Sequence, residues 1–226
     1  LVVLADTPTF GYRPKEIRNG LSIPPRMTLR NVMQMTTRPR WAFSQLIAGA
    51  PEFKTLKPYI PKGRGMKHLG QFMNKTFDGR LSENRLQSLR DKWKGKLVIK
   101  GIVTEEDAEK AVRIGADGII ISNHGGRQLD SGHATVESLP HLSQKYGDQI
   151  TVMMDSGIRT GSDVASAMAS GAHFTFLGRT FMYGVAALGE RGAGHTIYML
   201  QRQLQQVMEQ VACERPRDFP NHLIKE

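Results

Sequence analysis

Three consecutive isoleucines, Ile119-Ile120-Ile121, run straight into Ser122-Asn123-His124-Gly125-Gly126-Arg127-Gln128-Leu129-Asp130. A short β-branched run bounded by glycine and polar residues reads as a buried strand. The strand stops where chemistry can begin. His124 and Arg127 stand three residues apart just past its end. Histidine can move a proton near neutral pH, and arginine can grip a carboxylate with a two-pronged fork. Gly125 and Gly126 let the backbone turn sharply between them. Taken by itself, a lone H-x-x-R is also compatible with an ordinary surface loop.

The same pattern recurs along the chain. Val2-Val3-Leu4-Ala5 reads as a strand ending at Asp6-Thr7-Pro8, where Asp6 alone fits a turn-initiating aspartate. Leu97-Val98-Ile99 reads as a strand ending in Lys100-Gly101, and 118–122 as the next. Ile150 to Met154 ends at Asp155-Ser156-Gly157-Ile158-Arg159, and His173 to Leu177 ends at Gly178-Arg179. Helical patterns lie between them. Ser82 caps a helix running to Trp93, and Thr104 caps an acidic helix start that leads to Gly115. Further helices are predicted over 136–146, from Ser162-Asp163 to Gly171, over 180–189 and over 193–213, with an irregular tail. Strand–loop–helix alternation predicts parallel strands in βα units. The polar residues follow the C-terminal strand ends, where TIM-barrel enzymes carry their sites. An open doubly wound sheet also fits the alternation, but no G-x-G-x-x-G follows the first strand.

Residues 20–80 break the pattern. They carry six prolines and many Arg and Lys, and they read as irregular except for a short amphipathic run from Pro39 through Trp41 and Phe43 to Ile47. Residues 60–75 read as a flexible basic loop containing His68. Charge follows the same division. Residues 1–100 carry 20 Lys/Arg against 6 Asp/Glu, whereas residues 101–226 carry 11 against 15. A basic half fits anionic lipid, nucleic acid or an anionic substrate, and equally a solvated basic face. No recognised nucleic-acid motif is present, so no nucleic-acid partner is expected. No apolar run approaches the length of a membrane span. The single Cys213 excludes an internal disulfide and suits a reducing compartment.

The stretch 122–130 closely resembles the S-N-H-G-G-R-Q-L-D signature of the FMN-dependent 2-hydroxy-acid dehydrogenases and oxidases, which include L-lactate and mandelate dehydrogenases and glycolate oxidase. Residues Asp6 to Asn19 resemble the family's D-T-P-x-x-G-x-R-x-x-D-x-x-N segment, and the resemblance runs from Leu1 to about Gly189. It implies a (β/α)8 TIM barrel of which this chain supplies strands 4 to 8, in a single domain over 1–226 that is incomplete at its N-terminal side. Residues 20–80 are then a long basic loop region inserted within that domain. It implies FMN as cofactor and a small 2-hydroxy acid as substrate, with L-lactate expected. It implies His124 as the base, Asp6 as its partner, and Arg13 with Arg127 on the substrate carboxylate. Lys100 is expected near the flavin N1 and O2 edge, where a fixed cation stabilises the anionic reduced ring, and Ser122 against the ring. Leu4 departs from the family, many of whose members carry a polar Thr there near the flavin.

Asp155, Ser156, Gly157, Ile158 and Arg159, with Gly178 and Arg179, fit the phosphate site that barrels build at the ends of their last strands. The same arginines also read as two surface residues at strand ends. No histidine has metal-ligand spacing with another His, Cys or carboxylate, so no metal is expected. His133 and His141 read as flanking a helix start, His173 as opening a strand, His195 and His222 as exposed, and the methionines as core filler. The basic region resembles the extended loop of the membrane-associated lactate and mandelate dehydrogenases. The expected location is therefore cytoplasmic, with residues 20–80 in peripheral contact with the anionic inner face of the cell membrane. A homo-oligomer is expected from the family. Two alternatives keep the same fold. One is a different FMN or phosphate-binding barrel enzyme, against which the S-N-H-G-G-R signature argues. The other is an inactive or split half-barrel that needs a partner chain, because five of eight strands leave two open edges.

Overall fold

The computed structural model describes residues 1–9, 11–20, 27–49, 54–59, 72 and 79–224. The chain divides into two compact units, Leu1–Pro8 with Gly79–Glu226, and Thr9–Asp78.

The first unit holds a five-stranded parallel sheet with strands in sequence order: β1 (Val2–Leu4), β2 (Val98–Ile102), β3 (Gly118–Ile121), β4 (Thr151–Met154) and β5 (Phe174–Thr175). Its helices are α4 (Glu83–Lys92), α5 (Glu105–Arg113), α6 (Thr135–Tyr146), α7 (Gly161–Ala169), α8 (Arg179–Leu188) and α9 (Gly192–Gln210). The second unit holds α1 (Pro14–Arg18), α2 (Leu29–Thr36) and α3 (Pro39–Ala48).

Local signals set the helix starts. Ser82, Thr104 and Thr160 each accept a backbone N–H three residues on, which satisfies one of the orphan donors of a first turn. At α7 the helix begins at Gly161, one residue ahead of the predicted Ser162, because Thr160 and Asp163 form a reciprocal capping box. Burial of Asp163 works to raise its pKa, but the backbone N–H groups of Arg159 and Thr160 outweigh it and hold the carboxyl below its ordinary range.

All four β3 residues are buried, as a parallel strand covered on both faces must be. Ile99, Ile119, Ile121, Val152 and Met154 join Leu139 and Leu142 of α6 in the core, and each such side chain contributes about 1.5–3 kcal/mol by leaving water. Burial falls away toward both edges. Val2 and Leu4 on β1, and Phe174 and Phe176 at β5, remain 40–57 % exposed.

Several expectations are corrected. β2 starts at Val98 and does not end in Lys100-Gly101 but continues to Ile102 through a register shift between Lys100 and Ile102, where Gly101 adopts φ +99°. β5 is a two-residue strand rather than five, and Phe176 turns edge-on to Phe174 at 5.1 Å. The stretch 20–80 contains a helix that was not expected, α2, capped by Thr28, and α3 confirms the amphipathic run over Pro39 to Ile47. The predicted loop at 60–75, with His68, lies outside the described residues apart from Phe72. His141 sits inside α6, not at its start. Of the described methionines only Met154 is buried, while Met27, Met33 and Met182 are 67–70 % exposed, so most are not core filler.

Candidate active site

The ends of β1 to β4 bring four of the predicted residues together. His124 Nδ1 lies 3.3 Å from both carboxylate oxygens of Asp6. Lys100 Nζ is 2.9 Å from Asp155 Oδ2 and 3.8 Å from Asp6 Oδ2. Asp6, Lys100 and Asp155 are 11–18 % exposed and His124 is 28 % exposed, so the group is recessed yet reachable.

Ser122 sits at the centre and is buried. Its hydroxyl accepts from Lys100 Nζ at 2.6 Å and from the His124 N–H at 3.2 Å, and it donates to Asp6 Oδ2 at 3.5 Å. One hydroxyl has one proton and two lone pairs. All three are thus engaged within the protein, which makes Ser122 a junction of the network; the resemblance had suggested a contact with the flavin ring.

Two glycines make the arrangement fit. A Cβ on Gly101 would stand 2.6 Å from Asp6 Cβ and 2.7 Å from Asp6 Cγ. Asp6 can therefore lie against the β2 bulge only because Gly101 has no side chain. A Cβ on Gly125 would stand 2.6 Å from Arg179 Nη2, which donates to the Gly125 carbonyl at 3.1 Å. The backbone at His124 is itself left-handed, with φ +56°, and Gly125 and Gly126 follow at +68° and +71°. Such a conformation in a non-glycine residue costs of order 1–3 kcal/mol and persists only where surrounding contacts determine it.

Asn123 supplies part of that determination, and sequence reasoning passed over it. Its Oδ1 accepts the N–H groups of Gly125 and Gly126, and its Nδ2 donates to the His133 carbonyl. The signal was present: asparagine ahead of a glycine pair is a turn-former that bonds its own backbone two residues on. Gly101 was missed as well, and nothing in the sequence around it marks a bulge that must admit an aspartate from another strand.

A cleft of about 300 Å³ opens beside this network, lined by Lys100, His124 and Arg127 at one side and by Gly157, Arg159, Gly178 and Arg179 at the other. Asp155, Ser156 and Ile158 line it too. The far side suits a phosphate. Neither Gly157 nor Gly178 has any atom within 4 Å of where a Cβ would stand. The first turn of α8 starts at Arg179 with no side-chain cap on its N–H groups, which favours an anion. The near side offers a cation, Lys100, and a proton acceptor, His124. The chemistry of this donor set fits FMN. Arg13 belongs to the second unit, where it precedes α1 and pairs with Glu16 at 3.3 Å. Among the described residues no group of three or more His, Cys, Asp or Glu could hold a metal.

Comparison with known proteins agrees in its family assignment. The family model of the FMN-dependent dehydrogenases matches residues 1–226. An L-lactate dehydrogenase of Bartonella tribocorum is 35 % identical over 223 residues, covering 95 % of this chain and 58 % of its own. One of Alcaligenes faecalis is 37 % identical over 209 residues, covering 92 % and 55 %. The crystal structure of the monotopic membrane protein (S)-mandelate dehydrogenase superposes with a TM-score of 0.91 at 33 % identity, over 100 % of this chain and 60 % of that one. The chain spans little more than half the length of these relatives. On the family match and the parallel α/β fold it shares with these enzymes, the chain belongs to the FMN-dependent dehydrogenases, a family of 2-hydroxy-acid oxidoreductases.

Proposed function

We propose that this chain carries the catalytic side of an enzyme that oxidises an L-2-hydroxy acid, with L-lactate as substrate, to the 2-oxo acid. The observation that carries the reading is the Asp6–His124 pair beside Lys100, at strand ends that open on a phosphate-compatible cleft. His124 Nδ1 faces Asp6, which leaves Nε2 to take the proton from the substrate. Asp6 fixes the ring orientation and stabilises the imidazolium that forms. Arg127 holds the substrate carboxylate and so fixes the α-carbon, a role the resemblance assigns to Arg13 as well. FMN, when bound, supplies the acceptor for the substrate's two electrons. Lys100 offers its ammonium to the ring edge, with Ser122 anchoring it. Asp155, Gly157, Ile158 and Arg159, with Gly178 and Arg179, form the floor and phosphate end of the cofactor site, to which Ser156 contributes its backbone alone.

We further propose that the sheet forms strands 4 to 8 of a (β/α)8 barrel, with residues 20–80 inserted in the same domain. The exposed apolar edges at Val2 and Leu4 and at Phe174 and Phe176 support it, because such edges in a parallel sheet call for further strands.

The test is an anaerobic absorption spectrum of the natural protein loaded with FMN, before and after one equivalent of L-lactate. Bleaching of the flavin band is the expected result. Bleaching by L-mandelate alone would change the substrate, and none with either acid would overturn the reaction.

The inserted region supports a second contact. Phe43, Leu46 and Ile47 share one face of α3 and are 65–81 % exposed, with Arg38 and Arg40 at the start of the helix. No described helix is long and apolar enough to cross a membrane. We propose that this face rests on an anionic lipid surface. Sedimentation with phosphatidylserine vesicles, but not with phosphatidylcholine alone, is expected. Equal recovery in both supernatants would exclude it.

A further inference from the structure

We propose that Ser156 is a positioning residue whose hydroxyl holds the His124 loop in its left-handed shape. The inference rests on the reading of His124 as the base.

Ser156 lies past β4, yet its hydroxyl reaches the loop past β3. It accepts from the Asn123 N–H at 3.3 Å and from the Gly125 N–H at 3.1 Å, the two amides that flank His124. It donates to Asp155 Oδ1 at 2.8 Å. The other oxygen of Asp155 receives Lys100 Nζ at 2.9 Å. Its one proton and two lone pairs are therefore all spent on protein partners. The side chain has nothing left for a cofactor, although the residue stands in the cofactor cleft.

Two further observations point the same way. Ser156 is one of the few described non-glycine residues at positive φ, +72°. Glycine is the natural occupant of that backbone, so serine stands there at a conformational penalty and its hydroxyl is the group that needs explaining. The His124 loop also borders a second cavity besides the cofactor cleft. This cavity, of about 450 Å³, is lined by Asn123, Gly126, Val136 and Ser166 among others, and it shares Gly125, Ser156 and Arg179 with the cofactor cleft. Between that cavity and the cofactor cleft, the loop keeps its shape through hydrogen bonds to Asn123 and Ser156. Ser122 ties the His124 N–H to Lys100 directly, and Ser156 ties the neighbouring amides to Lys100 through Asp155. Through these two serines, the cation at the ring edge and the backbone of the base share one framework.

The test uses Ser156→Ala and Ser156→Gly in the natural FMN-loaded protein. Both remove the hydroxyl, whereas only glycine also removes the backbone strain, so the glycine variant is expected to fold even if the alanine variant does not. Both are expected to reduce flavin about 10–100-fold more slowly, the penalty of a misplaced catalytic group. FMN affinity and substrate KM should stay within about twofold. Amide hydrogen exchange at Asn123 and Gly125 should accelerate about 10-fold or more, reporting local opening of the loop. A glycine variant with wild-type flavin reduction and unchanged exchange would overturn the proposal. So would a loss of FMN affinity that matches the loss of rate, since that would make Ser156 a cofactor ligand. If the wild-type protein bleaches with no 2-hydroxy acid, the functional reading has failed, and the exchange comparison still decides whether Ser156 holds the loop.

Discussion

The two ends of the sheet carry two charge clusters built on opposite principles. At the N-terminal end Asp117, just ahead of β3, receives Arg90 at 3.1 Å, Lys96 at 2.8 Å and the Leu97 N–H at 2.9 Å. One carboxylate meets two cations and an amide, and the cluster closes on itself. At the C-terminal end Lys100 stands between two carboxylates, Asp6 and Asp155. The two carboxylates share this one direct cation, and Asp6 also faces His124. The first arrangement serves stability. The second places a carboxylate that shares its lysine beside a group that can accept a proton, in line with the division of labour between the two ends of parallel α/β sheets.

The largest expected effect lies at the C-terminal end. Asp6→Asn should lower the rate of flavin reduction about 10²–10⁴-fold, the range spanned by a positioned acid–base group. Its thermal midpoint should hold or rise, because one of two carboxylates that share a lysine is removed. His124→Ala should abolish reduction, and Arg127→Met should raise substrate KM with a smaller change in kcat. Stopped-flow flavin reduction beside thermal melts decides it. A stability loss without a rate loss in Asp6→Asn would make the upper cluster structural like the lower one.

The converse is expected of Asp117→Asn: a melting temperature lower by about 2–4 °C, with flavin reduction unchanged. The pH dependence sharpens the contrast. Hydrogen bonding to Lys96, then the Leu97 N–H, holds the Asp117 pKa at about 2 against 3.8 for the free side chain. A carboxyl whose pKa is lower in the folded state contributes stability that is complete above the unfolded value and lost as pH falls through the folded one. Wild-type stability should therefore decline between about pH 4 and pH 2 more steeply than that of Asp117→Asn. Parallel acid-melting curves for the two proteins would remove Asp117 from the account.

The sequence disclosed much of this because the strand ends are abrupt. Ile119 to Ile121 followed by a histidine between asparagine and glycines marks both a buried strand and a functional loop, and Thr or Ser before acidic residues marks the helix starts. What stayed hidden depends on contacts between distant segments. Gly101 looks like a strand terminator, yet it extends β2 through a bulge and makes room for Asp6, which comes from the far end of the chain's first strand. Ser156 reads as part of a phosphate loop, yet its hydroxyl faces another strand's loop. Helix α2 was missed because prolines and arginines around it read as irregular, while its cap, Thr28, is a single residue whose effect is local.

The smallest effect is expected where the lower cluster's pattern recurs without a sheltered arginine or a backbone N–H: Arg90 at Asp117 is 17 % exposed, although Lys96 is 85 % exposed. Glu105 at the start of α5 accepts from His141 and Lys145 of α6, again one carboxylate between two basic groups. The hydrogen bonds to Lys145 and then His141 lower its pKa. The side chains are 42–61 % exposed, so water and salt screen the pairs, and such surface pairs contribute little. Glu105→Gln should shift the melting temperature by less than about 2 °C, and that small difference should shrink further in about 0.5 M salt. Of the Asp117 effect, the share held by the exposed Lys96 should be screened, and the share held by Arg90 and the Leu97 N–H should survive that salt. If Glu105→Gln proved as costly as Asp117→Asn, the number of partners rather than their shelter would set the strength of these clusters, and the two ends of the sheet would differ only in charge count.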